Sequence, residues 1–168
     1  MAYHADADHV DDKEVLTWEG FGEAVREQAQ TIVDSGFCPT IIIGIARGGM
    51  IPAGALSYAL GIKLIDAVNV EFYTDVHETL PAPELLAPML DVDAITGATV
   101  LLVDDVADSG RTLALVQELL QSYEVDCRTA VLYHKSRSIV TPDYSWKSTD
   151  KWIVFPWSAD KPVEPSTP

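Results

Sequence analysis

Two kinds of apolar pattern alternate along the chain. From Thr17 onward, Phe21, Val25, Ile32 and Val33 recur at helical spacing, with Thr17 placed as an N-cap and Gly36 as the stop, which predicts an amphipathic helix. "TIIIGI" is instead an unbroken apolar run, the pattern of a strand buried on both faces. "MIPAGALSYAL" predicts a helix closed by Gly61, and "KLIDAVNVEF" a second strand. Further on, "TVLLV" predicts a strand, "RTLALVQELLQSY" a helix with Leu113, Val116, Leu119 and Leu120 on one face, and "RTAVLY" another strand. Near-continuous apolar strands separated by helices predict an α/β fold: a parallel sheet covered by helices on both sides.

Between these blocks lies residues 73–97, a segment with three prolines and no clear period, which reads as a long loop of functional or mobile character. Residues 1–14 read as a solvated acidic arm, and 158–168 as a polar, Pro-rich tail, both expected to be disordered. That leaves 15–157 as one folded domain, long enough to bury a core with 48% hydrophobic residues.

Charge narrows the function classes. A formal net charge of −15 opposes a nucleic-acid partner, because phosphate backbones are held by clustered Lys and Arg, and no basic stripe exists here. No apolar run approaches the ~18 residues of a membrane span, and "MAYHADADHVDDKE" has neither a basic start nor an apolar stretch. The expectation is a cytoplasmic protein with no membrane association. Cys38 and Cys127 lie in no C-x-x-C or Cys/His cluster and are expected to be reduced, largely buried thiols.

The chemistry is concentrated in "VLLVDDVADSGRT", where a buried strand runs into Asp104 and Asp105 and then, through Asp108 and a small-residue turn, into a helix. Ligands of open α/β sheets bind outside the carboxyl ends of strands, so the two carboxylates stand at a crevice. The helix start after "DSGRT" favours an anion, Gly110 permits close backbone approach, and Ser109 and Thr112 offer hydroxyls. Carboxylates cannot bind phosphate themselves; they suit sugar hydroxyls or Mg²⁺. Strand end and loop together describe a site for a phosphorylated sugar.

This run resembles the phosphoribosyl pyrophosphate (PRPP) motif of the type I phosphoribosyltransferases, matching in chemical character and in its strand–loop–helix setting. The resemblance implies that Asp104 and Asp105 hold the ribose hydroxyls and meet the metal mostly through PRPP and water. It implies that the loop from Ala107, through Asp108, Ser109, Gly110, Arg111 and Thr112, wraps the 5′-phosphate. "IIIGIARGGMIPAGALSYALGI" resembles the family's pyrophosphate loop, with Arg47, Gly48 and Gly49 at the turn and a cis peptide implied between Ala46 and Arg47. "VLYHKSRS" and "TPDYSWKSTDKWIVFPW" resemble the xanthine–guanine branch, which implies that Lys135 meets the purine carbonyl while Trp152 and Ile153 stack on and hydrogen-bond the base. Phe155 and Trp157 read rather as core or dimer-interface aromatics.

The implied fold has a flexible lid loop and a small C-terminal hood. The implied reaction displaces pyrophosphate from PRPP by a purine nitrogen, with Mg²⁺ as cofactor, Asp108 assisting proton loss from the base, and a homodimer or homotetramer as the assembly. A 6-oxopurine (guanine, xanthine or hypoxanthine) presents an acceptor to Lys135, whereas adenine would set a donor against a donor. One departure stands out: between Lys63 and Arg111 there is no Lys or Arg, so the lid cannot bring the basic residue its relatives bring. The alternative is a catalytically weak sensor of PRPP or nucleotides on the same fold.

Overall fold

Ile42, Leu101, Val103, Ala130 and Leu132 pack into one core cluster, while Ile41, Ile43, Ile45, Val100, Leu102 and Val131 pack into a second. Strict alternation of this kind means that the unbroken apolar runs are strands buried on both faces, each successive side chain entering the opposite core. The computed structural model describes residues 12–73, 79–85 and 95–165, with 71–73 and 79–85 described by their backbone. In chain order the elements are β1 (Lys13–Val15), α1 (Trp18–Asp34), β2 (Ile41–Ala46), α2 (Met50–Leu60), β3 (Ile65–Tyr73), β4 (Thr79–Leu85), β5 (Thr99–Ala107), α3 (Arg111–Gln121), β6 (Asp126–His134), β7 (Tyr144–Ser148) and β8 (Trp152–Val154).

The main sheet has the order β4-β3-β2-β5-β6-β7, parallel throughout except for the antiparallel β3–β4 pair. Helices α1 and α2 cover one face, through Phe21, Ala24, Val25, Ala29, Ile32, Ala53 and Leu56. Helix α3 covers the other through Leu113, Val116 and Leu120. The N-cap of α1 is as expected, with the Thr17 hydroxyl accepting from the Gly20 N–H at 3.0 Å. Gly61, at φ +70°, closes α2. Val33 departs from the expected face: it is 58% exposed, because the buried stripe passes through Gln28, Ala29 and Ile32 and the helix ends one residue later.

Other departures concern short elements. The interval 73–97 is not all loop, since β4 adds to the sheet edge, where Pro81 and Pro83 can be tolerated. The remainder of the expected lid, 74–78 and 86–94, lies outside the described residues. Strand β5 does not stop at Val103 but continues to Ala107. The fold also begins before the expected boundary at residue 15: β1 pairs in parallel with β8, Lys13 opposite Trp152 and Val15 opposite Val154. An ion pair between Glu14 and Lys147 ties this small second sheet to β7 of the main one. Cys38 is exposed and Cys127 partly buried, so the expectation of two buried thiols holds for neither in full. Burial and the carboxylates of Asp143 and Asp126 push the Cys127 thiol up to about 12.

Candidate active site

Strands β2 and β5 stay paired as far as Gly44 and Val103, whereas β5 and β6 stay paired to Ala107 and His134. The sheet therefore forks at Asp104, where β2 turns away and one edge of β5 is left open. The carboxylates stand at this fork rather than beyond the strand end, in the crevice where such sheets bind ligands.

The turn that leaves β2 lies directly on the acidic pair. The Ala46–Arg47 peptide is cis. A methyl group on Gly48 would overlap the Asp105 carboxylate, and one on Gly49 would lie 2.5 Å from the Val103 carbonyl oxygen, 2.7 Å from that of Ile45 and 2.8 Å from the Asp104 Cα. Glycine is thus required at both positions by contact. Burial, then the neighbouring Asp105 charge, hold the Asp104 carboxyl well above the usual range; burial pushes Asp105 up to about 6. Within the pair, the Asp105 N–H donates to Asp104 Oδ1 at 2.9 Å. Crowded, partly buried carboxylates of this kind are relieved by hydroxyl donors or by a cation.

Two helices begin at the site. Helix α2 starts after Gly49 and α3 after Gly110, and neither start receives a side-chain cap, in contrast to α1 and its Thr17. In α2 the Met50 N–H turns back to the Arg47 carbonyl at 3.2 Å and Pro52 has none to offer, and in α3 the Arg111 N–H meets Ser109 Oγ at 3.4 Å; the helix dipoles still favour an anion at both starts. Gly110 has φ +75° and packs against Ser138 and Val140, so the 108–112 loop is seated on the 135–140 loop. Backbone bonds from Lys135 N–H to the Ala107 carbonyl (3.1 Å) and from Ile139 N–H to the Ser109 carbonyl (3.0 Å) strap the two loops together.

The loops bring the candidate chemistry together. Lys135 is only 7% exposed; its Nζ donates to the Lys151 carbonyl at 2.9 Å and lies 3.6 Å from Asp108 Oδ1. Arg137 grips the same carboxylate, with Nη2 2.5 Å from Oδ1 and 2.6 Å from Oδ2, and Nε 3.0 Å from Oδ1. A cleft of ≈ 740 Å³ is lined by Arg47, Gly48, Asp105 and Asp108 on the phosphate side and by Lys135, Trp152 and Ile153 on the other. Trp152 is half-exposed on this wall, whereas Ile153 belongs to the core. Phe155 and Trp157 stack on each other at 4.8 Å between ring centroids, and Trp157 also packs edge-on against Phe21 at 5.3 Å. They serve the core, as expected, while one side of each reaches the cleft.

Of the other expected residues, Gly49, Asp104, Ala107, Ser109, Gly110, Arg111 and Thr112 are not among the lining side chains. Ala107 is buried and Arg111 exposed. The sequence reading missed Arg137, although it lies two positions past Lys135 in the same quoted run. It also missed the 158–162 stretch, expected to be disordered: Ser158, Asp160, Lys161 and Pro162 line the cleft. Among the described residues no cluster of three metal-ligating side chains occurs, and no helix is long and apolar enough to cross a membrane.

The chain matches the phosphoribosyl transferase domain family over residues 11–162. It is 33% identical over 144 residues to the xanthine-guanine phosphoribosyltransferase of Gluconobacter oxydans, covering 84% of this chain and 82% of that one. To the protein of the same name from Cereibacter sphaeroides it is 36% identical over 127 residues, 74% of this chain and 72% of the relative. Among solved structures, a purine phosphoribosyltransferase from Pyrococcus horikoshii is similar with a TM-score of 0.76 at 36% identity, covering 92% of this chain and 99% of that chain.

Proposed function

The chain belongs to the phosphoribosyltransferase family, and from that premise we propose that it is a purine salvage enzyme that transfers the phosphoribosyl group of PRPP to a 6-oxopurine. One observation carries the reading: a single cleft joins the anion-side residues Arg47, Gly48, Asp105 and Asp108 to the base-side residues Lys135, Trp152 and Ile153. The bond from ribose C1 to the pyrophosphate oxygen breaks, a bond from C1 to a purine ring nitrogen forms, and the proton on the purine imidazole ring leaves. The uncapped start of α2 receives the pyrophosphate. The start of α3 and the 108–112 backbone receive the 5′-phosphate. Asp104 and Asp105 accept from the ribose hydroxyls and stand below the positive charge that grows on the ring. Lys135, its Nζ fixed by the Lys151 carbonyl, donates to the purine carbonyl, and the Trp152 indole covers the flat face of the base. Asp108 accepts the departing proton.

The donor set at the fork fits Mg²⁺: two adjacent carboxylates whose charged forms are disfavoured by burial would be relieved by a cation, and with no third protein ligand among the described residues they suit a hard ion that keeps waters and takes other ligands from its substrate. When bound, Mg²⁺ would neutralise charge on the leaving pyrophosphate. The free thiols of Cys38 and Cys127 suit a reducing, cytoplasmic setting. Met50 and Tyr58 on α2, and Leu64 and Ile65 soon after it, are exposed apolar side chains, which supports a homodimer or homotetramer. The alternative of a weakly catalytic sensor gains no support from these relatives.

The test is a steady-state assay with PRPP and Mg²⁺, offering guanine, xanthine, hypoxanthine and adenine separately. Turnover with a 6-oxopurine, lost in Lys135→Ala and not transferred to adenine, is the expected result. Absence of turnover with every base would overturn the reading.

A further inference from the structure

Resting on the PRPP reading above, the geometry points to a positioning role for Arg137: we propose that its guanidinium holds Asp108 while the cleft is empty and transfers to an anionic group of PRPP when the cleft fills, freeing Asp108 for the base. Three observations lead there. The first is that Asp108, the group that must accept a proton, has both carboxylate oxygens engaged by Arg137, so a purine reaching it has to compete with the guanidinium. The second is the anchoring of the backbone around Arg137. Ser136 is fixed through its N–H and hydroxyl to Asp150 Oδ1, both at 2.9 Å. On the other side, Ser138 N–H donates to the Lys135 carbonyl at 3.0 Å and its hydroxyl to the Val140 carbonyl at 2.7 Å. With the main chain held, only the side chain of Arg137 is left to move, and that side chain is 64% exposed.

The third is a charge requirement. No Lys or Arg lies between Lys63 and Arg111, so that stretch of the sequence offers an anionic substrate no cation beyond His77. Lys135 cannot substitute, being buried and tied to the Lys151 carbonyl. Arg137 is on the wall shared with Asp108, beside the loop that receives the 5′-phosphate, and a guanidinium can pair with a phosphate through the same fork that it now offers a carboxylate. Exchange of one anion for another lets the guanidinium keep a partner in both states. The consequence is an order of binding: the base gains its acceptor only after PRPP has drawn Arg137 away.

The experiment compares wild type, Arg137→Gln and Arg137→Lys by calorimetry with PRPP and Mg²⁺, with ribose 5-phosphate, and with hypoxanthine alone, alongside steady-state kinetics. In Arg137→Gln the PRPP affinity should fall about tenfold while kcat changes less than about threefold, and hypoxanthine alone should bind about tenfold more tightly than to wild type. Arg137→Lys, which keeps the charge but loses the fork, should lie between the two in PRPP affinity and keep weak binding of the base alone. Unchanged PRPP affinity together with unchanged binding of hypoxanthine overturns the proposal, as does a kcat loss with PRPP binding intact. Thermal unfolding checks each variant; should Arg137→Gln not fold, Arg137→Lys decides, and a lysine equal to arginine with PRPP and hypoxanthine refutes the switch. A wild type that binds PRPP but turns over no purine defeats the functional reading and leaves the binding comparison valid. A wild type that binds no PRPP defeats both.

Discussion

Asp105 carries a cost in the empty protein. Its carboxyl is pushed up to about 6 by burial, against about 3.9 in an unfolded chain, so the folded state favours the protonated form. The stability this contributes is fully present below about pH 4 and is lost as pH rises through about 6. Asp105→Asn should therefore be more stable than wild type by up to about 3 kcal/mol at pH 8, with the gap closing toward pH 4; paired urea titrations at both pH values measure it. The same variant should lose PRPP binding, because the amide cannot replace a carboxylate beside sugar hydroxyls and Mg²⁺. Asp108→Asn should lower kcat about a hundredfold without weakening PRPP binding, and by loosening the hold on Arg137 should strengthen it, a result read from the same assay that tests the activity. Gly49→Ala is expected to destabilise by about 1–3 kcal/mol in thermal melts, since the added methyl meets backbone atoms of Val103, Ile45 and Asp104 that cannot yield.

At the scale of elements, the division of labour among helix starts is the organising feature. Helix α1, which contributes no residue to the cleft lining, is closed by Thr17, and Thr17→Ala should cost about 1 kcal/mol in denaturant titrations with kcat little changed. Helices α2 and α3 start on glycines without side-chain caps. All of this was legible in the sequence, because caps, stops and the Asp104–Asp105 run are local signals. The apolar strands β2 and β5 were equally legible, since burial on both faces leaves an unbroken run. What escaped reading depends on distant partners. β1 acquires its identity from residues 152–154, β4 carries prolines that only an edge position excuses, and β5 extends past Val103 because β6 continues beside it. The same limit applies to the site: Lys135 was found from its run, but the pairing of Arg137 with Asp108 spans two loops whose juxtaposition no local pattern announces.

Across the whole molecule, charge is distributed unequally. The chain carries −15, yet Arg47, Lys135, Arg137 and Lys161, four of its 11 basic residues, line one cleft against Asp105, Asp108 and Asp160. An anionic substrate approaching from afar is repelled by the surface before it is held by the cleft. Stopped-flow association of PRPP should accordingly quicken as salt rises from about 0.01 to about 0.15 M and the screening length falls from about 30 to about 8 Å. An association rate that falls with salt would show that the cleft's own field dominates. The parallel pairing of β1 with β8 joins the first strand of the fold to the last, with Lys13 opposite Trp152. For a chain being made on the ribosome, the wall that receives the base is completed after the phosphate loop at 108–112 and the acidic fork have already emerged. A product cut short of Trp152 would lack that wall, leave β1 without its partner strand and lose Ile153 and Phe155 from the core, so the base site and the closure of the fold are finished by the same few residues.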